Sequence, residues 1–278
     1  MRLTSRGIPF NPWPYERAAV STWPIGNIIA YVNFEIYPDL DFCKHTYCVG
    51  HSLGSHICSF YTRMLQRLTD NKCEIEKILA LDPAGPIWKE HSGSYQNKDT
   101  FELRYKLHHT DAKAVEVWHT NTHILGYKKP LGTVDIYING GYIQPYRRKQ
   151  KMKVILDQGS HNFPKAILPH IINMNKVDSE RRCVAQWGCR RPNSISEDWK
   201  PWSLLKNIKR SEDKDKLTKA GCINEHEMND NIDGYRLGAL ERSPEKDVNN
   251  FPVFWVQITP DSRTCPINVY AQSSSICD

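Results

Sequence analysis

Residues 47–56, YCVGHSLGSH, contain a serine inside Gly50-His51-Ser52-Leu53-Gly54, which fits the pattern G-x-S-x-G. In that pattern the serine is a nucleophile when it sits on a sharp strand-to-helix turn that raises its hydroxyl above the strand. The chemistry would be acyl transfer. A serine hydroxyl needs an imidazole within hydrogen-bond reach to take its proton, and the imidazole needs a carboxylate to fix its tautomer. On a turn of this kind the order along the chain is Ser, then Asp, then His. Glycine and serine are common enough for the pentad to arise by chance, so its surroundings decide the matter.

Those surroundings predict strand, turn and helix. Residues 46–49 form a short apolar and β-branched run ending in Gly50, and residues 55–68 carry Ile57, Phe60, Met64, Leu65 and Leu68 at helical spacing. The two glycines of the pentad are expected to remove Cβ clashes in the tight turn. Upstream, residues 1–15 hold three prolines without a period and predict a loop; residues 17–36 predict a helix that Pro24 kinks or restarts. Downstream, Ile75–Leu81 predicts a strand ending at Asp82-Pro83, Ala114–Trp118 another, and Val134–Ile138 a third, closed by Asn139-Gly140-Gly141. Strands separated by helix-length segments imply an α/β fold with a mostly parallel sheet. In such sheets reactive groups gather beyond the carboxyl ends of the strands.

Asp82 lies at such an end, where it is either the acid of a triad or a plain strand-end cap. Candidate histidines after it are His91, His108, His109, His119, His123, His161 and His170. His119 follows a strand and reads as a satisfied core or strand-end residue, while His108 and His109 fall in a polar loop. His161, in DQGSHNFPKAI, is placed in a loop just before a helix and is free to turn inward.

Composition narrows the class. The net charge of +6, from 37 Lys and Arg against 31 Asp and Glu, is a modest bias concentrated in residues 147–153 and 206–219. No basic-aromatic module accompanies it, so no nucleic-acid partner is expected; an anionic lipid surface fits better. No apolar run approaches the 18 or more residues of a membrane span, and the first residues lack the apolar core of a signal peptide. Nine cysteines (Cys43, Cys48, Cys58, Cys73, Cys183, Cys189, Cys222, Cys265 and Cys277) nevertheless suggest an oxidising compartment. None forms a C-x-x-C pair. Cys183 and Cys189 could close a small loop, and central cysteines such as Cys48 could equally be unbonded buried thiols.

Taken together, YCVGHSLGSH, KILALDPAGP, DAKAVEVWHT, LGTVDIYINGGYIQP and GSHNFPKAI resemble, in order and spacing, the catalytic domain of the pancreatic lipase family, which includes insect lipases and venom phospholipases A1. The resemblance covers residues 17–190, with a weaker echo to 265. It implies an α/β-hydrolase fold with a mostly parallel sheet, secreted from cells, that hydrolyses carboxylic esters of glycerolipids. Residue by residue, Ser52 matches the nucleophile, Asp82 the acid and His161 the base. Leu53 matches one oxyanion donor through its backbone N–H. The implied domain is a single one over residues 1–278, with core 17–190, a weaker part 191–278 and no separate C-terminal β-sandwich.

The departures carry expectations of their own. The family's histidine-glycine loop, source of the second oxyanion N–H, has no counterpart before Ser52, and the strands that should flank the nucleophile strand are missing. An N-terminally truncated enzyme is one expectation; an inactive lipid-binding or carrier relative is the alternative. The cysteines that bracket the family's lid correspond to about Tyr146 and Gly159, so the lid is expected to be short and strongly basic, with Tyr146, Arg147, Arg148, Lys149, Lys151 and Lys153. Asp111 stands near the family's calcium ligands, but His108 replaces an acid there. Asp111 is therefore expected to be a turn or cap residue, with no metal and no cofactor. The expected partner is phospholipid or triacylglycerol at a lipid–water interface, met by peripheral contact, with phospholipase A1-like chemistry favoured over triacylglycerol lipase.

Overall fold

The computed structural model describes residues 12–37, 39–88, 105–144, 158–177, 187–189, 218, 222–224, 238 and 253–256. Two helices come first, α1 (Pro12–Val20) and α2 (Thr22–Ile36). Helix thus begins inside the stretch predicted as loop. Prolines 12 and 14 occupy the first turn of α1, where a missing N–H costs no intrahelical bond. The break falls at Ser21 rather than at Pro24, which lies in the first turn of α2 for the same reason. Hydroxyls finish the junction, with Ser21 Oγ donating to the Arg17 carbonyl at 2.7 Å and Thr22 Oγ1 to that of Ala19 at 2.6 Å.

A 3-10 turn at Asp41–His45 leads into β1 (Tyr47–His51), followed by α3 (Leu53–Leu68), β2 (Lys77–Leu81), β3 (Ala114–His119) and β4 (Val134–Ile138). Helix α4 (Gln158–Val177) and short strands β5 (Trp187–Cys189), β6 (Cys222–Asn224) and β7 (Val253–Val256) complete the described elements. The sheet order is β1-β2-β3-β4-β7-β5-β6. From β1 to β7 every pairing is parallel; β5 runs antiparallel to both β7 and β6. This is the mostly parallel α/β sheet that the sequence implies. β2, β3 and β4 are buried along their whole length, as strands covered on both faces must be. Leu65 of α3 belongs to one buried cluster with Ile78 of β2 and Val115 and Val117 of β3, and Ile167 and Ile171 of α4 are fully buried.

One feature of the core is polar. Lys77 and Glu116 form a buried ion pair across β2 and β3 at 2.5 Å, and Glu116 Oε1 also accepts from Trp118 Nε1 and from the Gly238 N–H. Donors around the carboxylate hold its pKa low against burial, the largest opposing influence. At the far end of the sheet β1 is an edge strand among the described residues, with Tyr47 and Val49 exposed. The outer face of α2 likewise exposes Trp23, Ile28 and Ile36. No helix of the described residues is long and apolar enough to cross a membrane.

Among the described residues three disulfides form: Cys43–Cys73, Cys48–Cys58 and Cys189–Cys222. Cys48 is therefore bonded rather than a free thiol. Cys189 pairs with Cys222, its register partner across β5 and β6, and not with Cys183. Cys48–Cys58 joins β1 directly to α3 and closes the chain around Ser52. Closing a loop this short restricts the unfolded chain, so Cys48→Ser/Cys58→Ser should lower unfolding free energy by about 2–3 kcal/mol. Urea denaturation of both forms would measure it; an unchanged midpoint would show that the bridge contributes nothing.

Candidate active site

The register of the sheet brings the candidate groups together. β1 and β2 align His51 with Leu81, and β2 and β3 align Leu81 with Trp118, so Ser52 and Asp82 leave neighbouring strands at the same end. Two backbone bonds extend the ladder past the strands: Ser52 N–H to the Leu81 carbonyl at 3.0 Å and Asp82 N–H to that of Trp118 at 2.7 Å.

Ser52 has φ 56° and ψ −120°, a conformation costly for any residue with a Cβ. It is the single residue between β1 and α3, as a nucleophile elbow requires. Gly50 is needed there, because a Cβ on it would run into the backbone of Gly54. Gly54 is not needed for that reason, since a Cβ there would meet no described atom within 4 Å. Only the first of the two glycines therefore has the role that the pattern predicts for both. Ser55 Oγ donates to the Gly50 carbonyl at 2.9 Å and closes the turn from inside. Leu53 begins α3, so its N–H is one of the first-turn amides without an intrahelical acceptor.

Asp82 is completely buried and fully engaged. Oδ1 accepts the N–H groups of Thr120 at 2.9 Å and Asn121 at 3.0 Å, and Oδ2 lies 2.6 Å from His161 Nδ1. The carboxylate accepts, so Nδ1 carries the imidazole proton and Nε2 keeps its lone pair. His161 retains 10% of its side-chain exposure. It lies in the first turn of α4, not in a loop before the helix. Among the described candidate histidines it is the one paired with Asp82.

Other candidates resolve differently. His119 is a core residue, with Nε2 2.7 Å from Asp135 Oδ1, Nδ1 2.9 Å from the Tyr127 carbonyl and its ring stacked on Tyr137. Asp111 is the turn residue expected: Oδ2 accepts the His108 N–H at 2.7 Å. Its carboxylate is also held by Arg63, with Nε 2.7 Å from Oδ1. His91 and the lid residues Tyr146, Arg147, Arg148, Lys149, Lys151 and Lys153 lie outside the described residues, as do Cys183, Cys265 and Cys277.

Two residues with a part in the arrangement were not legible in the sequence. Gln144 donates from Nε2 to the carbonyls of Thr120 and Ile138, both at 3.0 Å, and accepts from Asn139 Nδ2 at 2.9 Å. Its N–H reaches Ser160 Oγ, the residue before His161. The Asn-Gly-Gly turn makes this possible, with positive φ at Asn139, Gly140 and Gly141 in succession. His51 is the second; its Nε2 lies 2.7 Å from the His161 carbonyl.

A strained serine after a parallel strand and a buried Asp–His pair thus stand at the same sheet end, an arrangement that could carry out acyl transfer. Among known proteins, the family described as Lipase matches residues 13–168, more than half of the chain, and the protein belongs to that family. Lipase member H-B of Xenopus laevis is 37% identical over 131 residues, covering 47% of this chain and 25% of that protein. Phospholipase A1 2 of Vespa affinis is 37% identical over 132 residues, 47% of this chain and 36% of that protein. The phospholipase A1 of Vespa crabro is 36% identical over 140 residues, 50% and 42% of the two chains. The chain thus spans between 25% and 42% of the length of these relatives.

The site's histidines make the fold acid-sensitive. His56 is fully buried, with Nε2 3.0 Å from the Ala84 carbonyl while Nδ1 accepts the Leu107 N–H at 3.1 Å, an arrangement only the neutral ring can make. Burial lowers its pKa to about 4, against the opposing bond to Ala84. His51 is also lowered to about 4, chiefly by burial. Between the usual value of 6.5 and 4 the unfolded chain binds more protons than the folded one, so stability falls as pH drops through that window. From about pH 7.5 to 5.5 each histidine should cost about 1 kcal/mol. Denaturant titrations at the two pH values would test this, and equal midpoints would contradict it.

Proposed function

We propose that the protein is a carboxylic ester hydrolase acting on glycerolipids through Ser52, His161 and Asp82, built as one lipase-type domain. The observation that carries the proposal is the His161–Asp82 bond of 2.6 Å at the strand end beside the strained Ser52. In the reaction, Ser52 Oγ attacks the ester carbonyl carbon while its proton passes to His161 Nε2. The tetrahedral oxyanion is met by the Leu53 N–H, and its collapse expels the alcohol, which takes the proton from His161. Water then attacks the acyl-serine, gives its proton to His161, and releases the fatty acid with Ser52 restored. Asp82 stays ionised throughout; its part is to hold the tautomer and offset the imidazolium charge.

Membership in the lipase family supports a lipid substrate at a water interface, and the phospholipase A1 names of the Vespa relatives support cleavage of the first acyl ester of a phospholipid. The basic run Arg147, Arg148, Lys149, Lys151 and Lys153 suits an anionic headgroup surface, at about 1 kcal/mol per residue before screening. The three disulfides fit an extracellular protein.

Ser52→Ala should abolish ester hydrolysis and covalent capture by a serine-directed phosphonate with the circular dichroism unchanged. Asp82→Asn should lower kcat by about 10⁴-fold. Persisting phosphonate capture in Ser52→Ala would remove the nucleophile assignment. Rates on phosphatidylserine or phosphatidylcholine vesicles, set against emulsified triolein, address the substrate. Faster vesicle hydrolysis, reduced when the five basic residues are neutralised, is the predicted result; a triolein preference unaffected by neutralisation would overturn it.

A further inference from the structure

His51 occupies the variable second place of the pentad and takes no part in the proton transfers above. Its environment is nonetheless specific. Nε2 lies 2.7 Å from the backbone carbonyl of His161, and the two imidazoles lie 4.6 Å apart between ring centres, tilted by 48°. A carbonyl only accepts, so Nε2 carries the His51 proton and donates it. The bond joins the last residue of β1 to the first turn of α4, across 110 residues of sequence.

His161 is thereby held at two points. Asp82 fixes the ring through Nδ1, and His51 fixes the backbone from which the ring hangs. The first contact sets tautomer and tilt and ties the helix to the end of β2, not to β1. The second sets the distance between the strand end that launches Ser52 and the turn that carries the base. Displacements of about 1 Å in such pairs cost about 100-fold in rate.

We propose that His51 is a positioning residue for the base: a neutral strut whose Nε2–H holds the His161 backbone against the end of β1. The inference rests on the reading of Ser52, Asp82 and His161 as a triad and adds a fourth residue to it. Neutrality is what the position requires, because the neighbouring ring becomes an imidazolium during turnover and a second charge there would oppose it. The groups facing His51 are His161 and Lys165 of α4 and Asp82 after β2. Burial, His161 and Lys165 lower its pKa to about 4, while the bond to the His161 carbonyl and the charge of Asp82 act in the opposite direction.

Three substitutions separate a strut from a space-filling ring. In His51→Gln the side-chain N–H falls where Nε2–H was; His51→Asn places it one bond short, and His51→Leu removes it. The expected result is kcat within a few-fold of the parent for His51→Gln, and about 10- to 100-fold lower for His51→Asn and His51→Leu, with KM changed less than two-fold. Asn and Gln are both polar amides, so their difference reads reach rather than folding. Parental kcat in His51→Asn, or a folded His51→Gln as slow as His51→Leu, would overturn the strut. Ser52→Ala assayed alongside keeps the two readings apart: loss of turnover there with parental His51→Asn removes the strut alone, whereas turnover retained in Ser52→Ala removes both.

Discussion

A serine held at φ 56° between a strand and a helix is the constraint on which the rest of the structure depends. Such a conformation costs on the order of 1–3 kcal/mol and persists only where its neighbours over-determine it. Here they do. The Ser52 N–H is tied to Leu81, Ser55 Oγ reaches back to the Gly50 carbonyl, and Gly50 leaves room for the close approach of Gly54. Cys48–Cys58 then ties the incoming strand to the outgoing helix. The turn puts Ser52 just past the strand end, and Leu53, as the first residue of α3, has an N–H without an intrahelical acceptor.

The second constraint is the burial of Asp82. A fully buried carboxylate is costly unless every lone pair finds a donor, and this one takes two backbone N–H groups from the loop after β3 and one imidazole from α4. Satisfying Asp82 therefore fixes the loop and the helix together. Gln144 closes the circuit by bonding the ends of β3 and β4 and by meeting Ser160 beside His161. Desolvation is thus what assembles three separate chain segments at one sheet end.

Much of this is written in local sequence. β2 and β4 are recognisable because buried parallel strands are continuous apolar, β-branched runs, and the elbow because its pattern sits between strand and helix periods. What was not legible depends on distance. Prolines 12 and 14 resemble loop formers until the first-turn exemption is applied, and Gly159 and Pro164 hide the start of α4, so that His161 reads locally as a loop residue. Cystine partners lie 10 to 33 residues apart, and composition does not choose among pairings. Local sequence alone does not distinguish His161 from the other candidate histidines, because the choice is made by Asp82. His51 lies beside Ser52, yet its partner is a backbone carbonyl, which leaves no trace in side-chain pattern.

The most direct test of the central claim is to trap the acyl-enzyme. The protein would be mixed with a slowly hydrolysed fatty-acyl ester, quenched with acid within the first turnovers, digested and analysed by mass spectrometry. The account predicts an added acyl mass confined to the peptide containing Ser52, appearing and decaying with the burst of alcohol release. Turnover without an acyl intermediate, or an acyl group carried on any other residue, would contradict it.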